Sequence, residues 1–143
     1  MLKKLMPLLL VSMLLYACSD FEKSDNGELD GLWQLTTVDT LATGHSADVR
    51  GLGIFWAVQA DLLEIRDAEY ANVFFRFLHE GNSLTLYSPV ADSRPSSDRI
   101  VADEQELYRF GLNNLTDTLQ VLELKKNKMT LQSERLRMHF RKY

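Results

Sequence analysis

Residues 128–143 read KMTLQSERLRMHFRKY, and the parity of their side chains decides the fold class. Met129 and Leu131 fall on one side of an extended chain; past Ser133 and Glu134, so do Leu136, Met138 and Phe140, while Arg135, Arg137, His139 and Arg141 fall on the other. Successive side chains of a strand point to opposite faces, so this alternation makes a ribbon with one face for a core and one for water. A helix would scatter the same residues around its circumference. The segment is therefore an antiparallel hairpin with a wet, basic face.

Working back toward the N-terminus, the same chemistry recurs. Strands are expected at 32–40, 54–60, 62–66, 71–79, 83–88, 118–124, 128–133 and 135–142, all rich in Val, Ile, Leu, Phe, Tyr or Trp. Glu80-Gly81-Asn82 and Lys125-Lys126-Asn127 are compact links whose Gly or Asn tolerates positive φ, so each joins sequential antiparallel strands. Residues 42–53 and 90–102 read as long loops, and 103–110 as a short helix closed by Gly111. No internal repeat is evident. Val73, Phe75 and Phe77 alternate with Phe74, Arg76 and Leu78, and Phe55 adjoins Trp56, so parts of the sheet are apolar on both faces and must be covered twice. An all-β fold meets that demand as a small antiparallel up-and-down β-barrel of about eight strands, with a short helix before the C-terminal strands. A two-sheet sandwich is the competing arrangement.

The N-terminus has a different character. Lys3 and Lys4 precede an apolar run over 5–15, which ends at Ala17-Cys18. Residues 1–17 have the three parts of an export signal, and the run is shorter than the roughly 20 residues that span a bilayer. Small Ala17 directly before the single cysteine resembles the lipobox of bacterial lipoproteins, although Tyr16 is bulkier than that pattern usually carries. The resemblance implies diacylglycerol on the Cys18 thiol and a further acyl chain, such as palmitate, on its freed amine. Two or more chains anchor a protein stably where one does not. With no second cysteine, a disulfide within the chain is excluded, and a lipidated Cys18 is no nucleophile. Residues 18–30 (CSDFEKSDNGELD) are polar and acidic, the composition of a flexible tether, which leaves 31–143 as the folded domain. An acid-rich stretch after the cysteine also loosely resembles a surface-export signal; a solvated linker is the preferred reading.

Formal net charge is −4, which argues against general nucleic-acid affinity. His45, His79 and His139 are never at metal-ligand spacing, so no metal is expected. Asp61, Glu64, Asp67 and Glu69 crowd a turn, where solvated acids are commoner than an acid/base pair. Neither Gly-x-Ser-x-Gly nor a phosphate-cradling loop is present, and neither an enzyme nor a cofactor is expected. Asp39-Thr40-Leu41 and Asp117-Thr118-Leu119 match a short O-glycosylation acceptor pattern of exported proteins in some gut-type anaerobes, a match that arises easily by chance. Asn114-Leu115-Thr116 is an N-glycosylation sequon without meaning in a bacterial lipoprotein.

Gly31-Leu32-Trp33, opening the first strand, resembles the Gly-x-Trp signature of lipocalins. The order of 114–124, 129–131 and 136–143 is similar to the ending of lipocalin-like bacterial lipoproteins of unknown function. The likeness spans roughly 31–143. It implies that Trp33 packs at the closed end of the barrel and that Arg141 or Arg137 covers it by a cation–π contact. It also implies an envelope protein, lipid-anchored at the outer membrane on its periplasmic or surface-exposed side, that binds a small hydrophobic ligand or a protein partner. Trp56, Phe75, Phe77 and Tyr87, central in consecutive strands, are the candidate pocket walls. The chain is short for a lipocalin, so a barrel filled by side chains is the alternative. The protein is then a cavity-free interaction module, an inhibitor or accessory subunit of an envelope complex, with recognition on loops 42–53 and 90–102. The row Arg135, Arg137 and Arg141 suits an acidic partner or lipid headgroup, but the ordinary wet face of a strand is the preferred reading.

Overall fold

Hydrogen-bonded alternation closes the chain on itself. The computed structural model describes residues 25–69, 71–92 and 97–143. These hold β1 (Gly31–Thr40), β2 (Ser46–Asp48), β3 (Phe55–Gln59), β4 (Leu62–Arg66), β5 (Asn72–Glu80), β6 (Ser83–Ala91), β7 (Arg99–Ile100), β8 (Asp117–Leu124), β9 (Lys128–Gln132) and β10 (Leu136–Lys142). Eight of them form a closed antiparallel ring in the order β1-β3-β4-β5-β6-β8-β9-β10, sealed by β10 pairing with β1 from Trp33↔Lys142 to Thr40↔Leu136. This is the up-and-down barrel the alternation predicts, and the seal rules out two separate sheets. The short strands β2 and β7 add laterally to β1 and β6. Both lie in segments expected as loops, because strands this short carry too few residues to show a period.

Register slips mark the ring where it bends, between Leu35 and Thr37 on β1, Phe74 and Arg76 on β5, and Val121 and Glu123 on β8. Bulges sharpen the local twist, which helps a sheet of short strands to close. Inside, Trp33, Leu35, Trp56, Leu63, Ile65, Phe75, Leu84, Leu86, Leu119, Met129, Leu131, Met138 and Phe140 are buried in one core.

A 3-10 helix, Glu104–Phe110, closes one end. The Asp103 side chain accepts from the Gln105 N–H at 2.9 Å, and Gly111 ends the helix in the left-handed region at φ 81°. Leu107 and Phe110 are buried, and Arg109 reaches across to Asp67 and Glu69 on the turn after β4.

At the other end the structure moves the domain boundary. Residues 18–24 of the expected tether lie outside the described residues, but Gly27–Leu29 forms a 3-10 turn and Leu29 is 1% exposed. Asn26 Nδ2 donates to the Ala60 carbonyl at 2.7 Å and Trp33 Nε1 to the Leu29 carbonyl at 2.9 Å. Residues 26–30 thus belong to the folded unit and are no tether. One apolar residue, Leu29, finds a place in the core and overrides the polar composition around it.

Candidate functional site

Two regions compete for the role of site, the barrel interior and the outer wall. Inside, Trp33 is fully buried as expected, but the cation over its ring is Lys142, with Nζ 4.4 Å from the ring centroid, and neither Arg141 nor Arg137. Register explains the correction. Directly opposite residues share a face, and Lys142 stands opposite Trp33. Arg141 and Arg137 have the other parity, and their guanidinium groups donate outside the barrel to Gln34 Oε1 (2.8 Å) and Gln132 Oε1 (2.9 and 3.0 Å). Lys142 Nζ also donates to the carbonyls of Glu28 (3.1 Å) and Asp30, clasping the N-terminal turn over the indole.

The four expected pocket walls do not converge. Trp56 is 0% exposed and Phe75 1%, so no water-sized sphere touches the first and almost none the second. Trp56 packs edge-on against Phe140 at 5.0 Å. Both are core. Phe77 is half-buried at the rim, in an open cleft of about 320 Å³ with Asp61, Leu78 and His79. Tyr87 is 39% exposed and stands opposite Arg76 on the outside. The sequence carried that signal: Leu84 and Leu86 alternate with Thr85 and Tyr87, and only one of the two sets can face inward.

The outer wall has polar clusters of its own. His139 Nε2 lies 2.7 Å from Asp39 Oδ2, Ser46 Oγ donates to Asp39 Oδ1 at 2.7 Å, and Thr130 Oγ1 is 3.5 Å from His139 Nδ1. The Ser46 hydrogen bond, followed by that from His139, holds the Asp39 carboxyl below its ordinary value. The chain of contacts ties β2 to β1 and β10. The Thr130–His139 distance is long for proton transfer, so its evident work is structural. The crowded acids of the β4 turn are dispersed into ion pairs: Asp61 with Arg76, Glu64 with Arg66 at 3.7 Å, and Asp67 and Glu69 with Arg109. Among the described residues no group of three His, Cys, Asp or Glu side chains is placed to hold a metal ion, and no helix is long and apolar enough to cross a membrane.

A second open cleft, about 330 Å³, lies across β4, β5 and β6 with Leu62, Phe74, Arg76 and Val90 on its walls; Phe75 borders it too, but at 1% exposure its ring offers the cleft almost no surface. Ser88, also on its wall, takes φ 52°, a conformation uncommon outside glycine.

Cross-strand register then assembles a row that strand-by-strand reading missed. Lys128 stands opposite Arg141, Arg141 opposite Gln34, Gln34 opposite Phe55 and Phe55 opposite Arg66, crossing β9, β10, β1, β3 and β4 on the outside. Tyr143 packs edge-on to Phe55 at 5.2 Å, and the Arg66 guanidinium lies 5.9 Å from the Phe55 ring.

The family model for a lipocalin-like domain matches residues 13–143. The chain belongs to the lipocalin-like domain family. Solved structures agree on the fold. A lipocalin-like protein from Bacteroides uniformis aligns with TM-score 0.63 at 21% identity, over 82% of this chain and 100% of its own. An uncharacterized protein from Bacteroides eggerthii gives 0.58 at 22%, over 80% and 98%, and a protein from Burkholderia xenovorans gives 0.54 at 14%, over 80% and 82%. No curated protein matches the chain in sequence. At these identities the neighbours of this lipocalin-like barrel speak for its architecture alone.

Proposed function

We propose that the chain is a lipid-anchored lipoprotein of the bacterial envelope, held at the outer membrane through acyl chains on Cys18, whose barrel binds a protein partner on its outside. It works as a cavity-free interaction module, an inhibitor or accessory subunit, without catalysis or cofactor. The observation that carries this reading is the inaccessibility of Trp56 and Phe75. A carrier of apolar molecules needs interior walls that its cargo can touch, typically around a few hundred Å³ of space. Here the aromatics best placed to supply them are spent on packing.

Native mass spectrometry of the chain purified from its own host tests the proposal. The expected result is no bound small molecule and a partner protein retained at fixed stoichiometry; a stoichiometric apolar molecule in its place overturns it. Metabolic labelling with palmitate tests the anchor separately. Label on the wild-type chain, absent from Cys18→Ala, is expected, and an unlabelled wild-type chain overturns the anchoring.

A second reading places a small amphipathic ligand in the cleft at Phe74 and Ser88, favoured by the bulge and the strained Ser88 backbone. Displacement of a fluorescent apolar probe, lost in Phe74→Ala, is its signature.

A further inference from the structure

Charge on this chain is segregated. Residues 125–143 hold seven of the sixteen lysines and arginines and one of the twenty acids, in a protein whose net charge is −4. The fold turns that sequence bias into a surface. The Lys125-Lys126-Asn127 turn sits against the end of β10 through the Lys142 N–H bond to the Asn127 carbonyl at 3.0 Å, and Lys128 begins the outward row that Arg141 continues. Among the described residues, Lys126, Lys128, Arg135 and Arg141 enter no ion pair, and Lys125 has Glu123 only at 4.0 Å. Arg137 differs, since it stands opposite Asp39. Exposed apolar groups flank the free cations: Tyr143 is 74% exposed and Leu122 45%.

We propose that this wall is a docking surface for an anionic phospholipid bilayer, with Lys125, Lys126, Lys128 and Arg141 facing lipid phosphates and Tyr143 at the headgroup boundary. Two observations name the occupant. Unpaired cations beside an exposed aromatic match the chemistry of a charged bilayer surface, where amphipathic rings settle and juxtamembrane basic clusters are attracted. The second is position. Lys142 clasps the turn at Glu28 and Asp30, so the chain leaves the barrel beside the lysine turn. From Asp25 back to Cys18 an extended chain reaches at most about 25 Å, so a lipid on Cys18 holds this end within a barrel's length of the membrane. The proposal rests on the lipid-anchored reading. Asp25, Glu28 and Asp30 sit beside the chain's exit at this end and oppose the attraction. Asp67, Glu69, Asp103, Glu104 and Glu106 lie at the opposite end of the barrel, where repulsion from the same bilayer favours this orientation.

The test uses the full lipidated chain, inserted by its own acyl chains into vesicles of phosphatidylcholine alone or with about one-third phosphatidylglycerol. Amine acetylation, read by mass spectrometry, reports each lysine. Acetylation of Lys125, Lys126 and Lys128 is expected to slow several-fold in the anionic vesicles and to recover near 1 M salt, where the screening length falls to about 3 Å. In Lys126→Glu/Lys128→Glu, both exposed positions, the slowing of Lys125 between the two vesicle types is expected to vanish. Equal rates on an acylated chain overturn the docking surface alone. Slowing by soluble polyglutamate with none in anionic vesicles overturns it in favour of an acidic protein. A chain without acyl mass overturns the anchored reading, and with it the proposal.

Discussion

Trp33 and Trp56 stand directly opposite each other on β1 and β3, both without exposed surface, yet only one indole N–H is bonded. Trp33 Nε1 donates to the Leu29 carbonyl; Trp56 Nε1 has no partner among the described residues. A buried polar group left unmatched costs about 1–3 kcal/mol, so the two tryptophans are not equivalent. Trp33→Phe orphans the Leu29 carbonyl, whereas Trp56→Phe removes an N–H that was already unsatisfied. Urea unfolding is expected to show Trp33→Phe the more destabilising, by about 1–2 kcal/mol. Equal losses would mean that the Leu29 bond contributes nothing.

Lys142 joins a cation–π contact to two carbonyl bonds, and Arg141 makes one hydrogen bond on the outside. Lys142→Met is expected to cost about 1–2 kcal/mol and Arg141→Met less than about 1 kcal/mol. Amide exchange should locate the first loss at Gly27–Leu29, with faster exchange of the Leu29 and Asp30 amides in Lys142→Met and little change in Arg141→Met.

Acid should loosen β2 before the barrel. Asp39 is held below its ordinary carboxylate value by Ser46 and His139, and Asp48 is lowered to about 2 by the side chain and amide of Arg50. For a depressed carboxyl, the stabilisation is complete above the unfolded value, near 3.8 for Asp, and is lost as pH falls through the folded value. Between about pH 4 and pH 2, exchange of the Ala47 and Val49 amides is therefore expected to accelerate ahead of those in β9. In Asp39→Asn the acceleration should start from a looser β2 and be shallower.

Gly111 and Asp103 cap the two ends of one helix. A Cβ at Gly111 would meet Leu136 Cδ1 at 3.1 Å and Met138 Sδ at 3.3 Å, with φ at 81°. Gly111→Ala is expected to cost about 1–3 kcal/mol in thermal or urea unfolding, since it adds backbone strain to crowding. Asp103→Ala should cost about 1 kcal/mol, the usual loss of an N-cap. The reverse order would remove the left-handed turn as the determinant of how the helix ends.

Strands whose two faces differ were legible from the chain. The parity of Met138 and Phe140 against Arg137 and His139 gave both element and orientation, and Asp103 with Gly111 bounded the helix. Side chains whose partners lie across the barrel were not legible. The preference for Arg141 or Arg137 over Trp33 failed because the partner is set by β1–β10 register, a relation between residues about a hundred positions apart. Tyr87 was misplaced for a nearer reason, since its parity with Leu86 was visible and was outweighed by its aromatic character. Leu29 was lost in a polar stretch, because composition averages hide a single core residue. The Lys128–Arg141–Gln34–Phe55–Arg66 row exists only after closure.

The seal between β1 and β10 also governs when this protein can fold. The first long strand cannot pair along its closing edge, nor Trp33 receive its cation, until residues 136–142 have been made. The pairing that seals the ring joins residues about a hundred positions apart, so it carries the largest loop-closure cost in the barrel. Any change that withholds residues 136–142 therefore leaves β1 with an open hydrogen-bonding edge, and turns a ring without edges into a sheet with two.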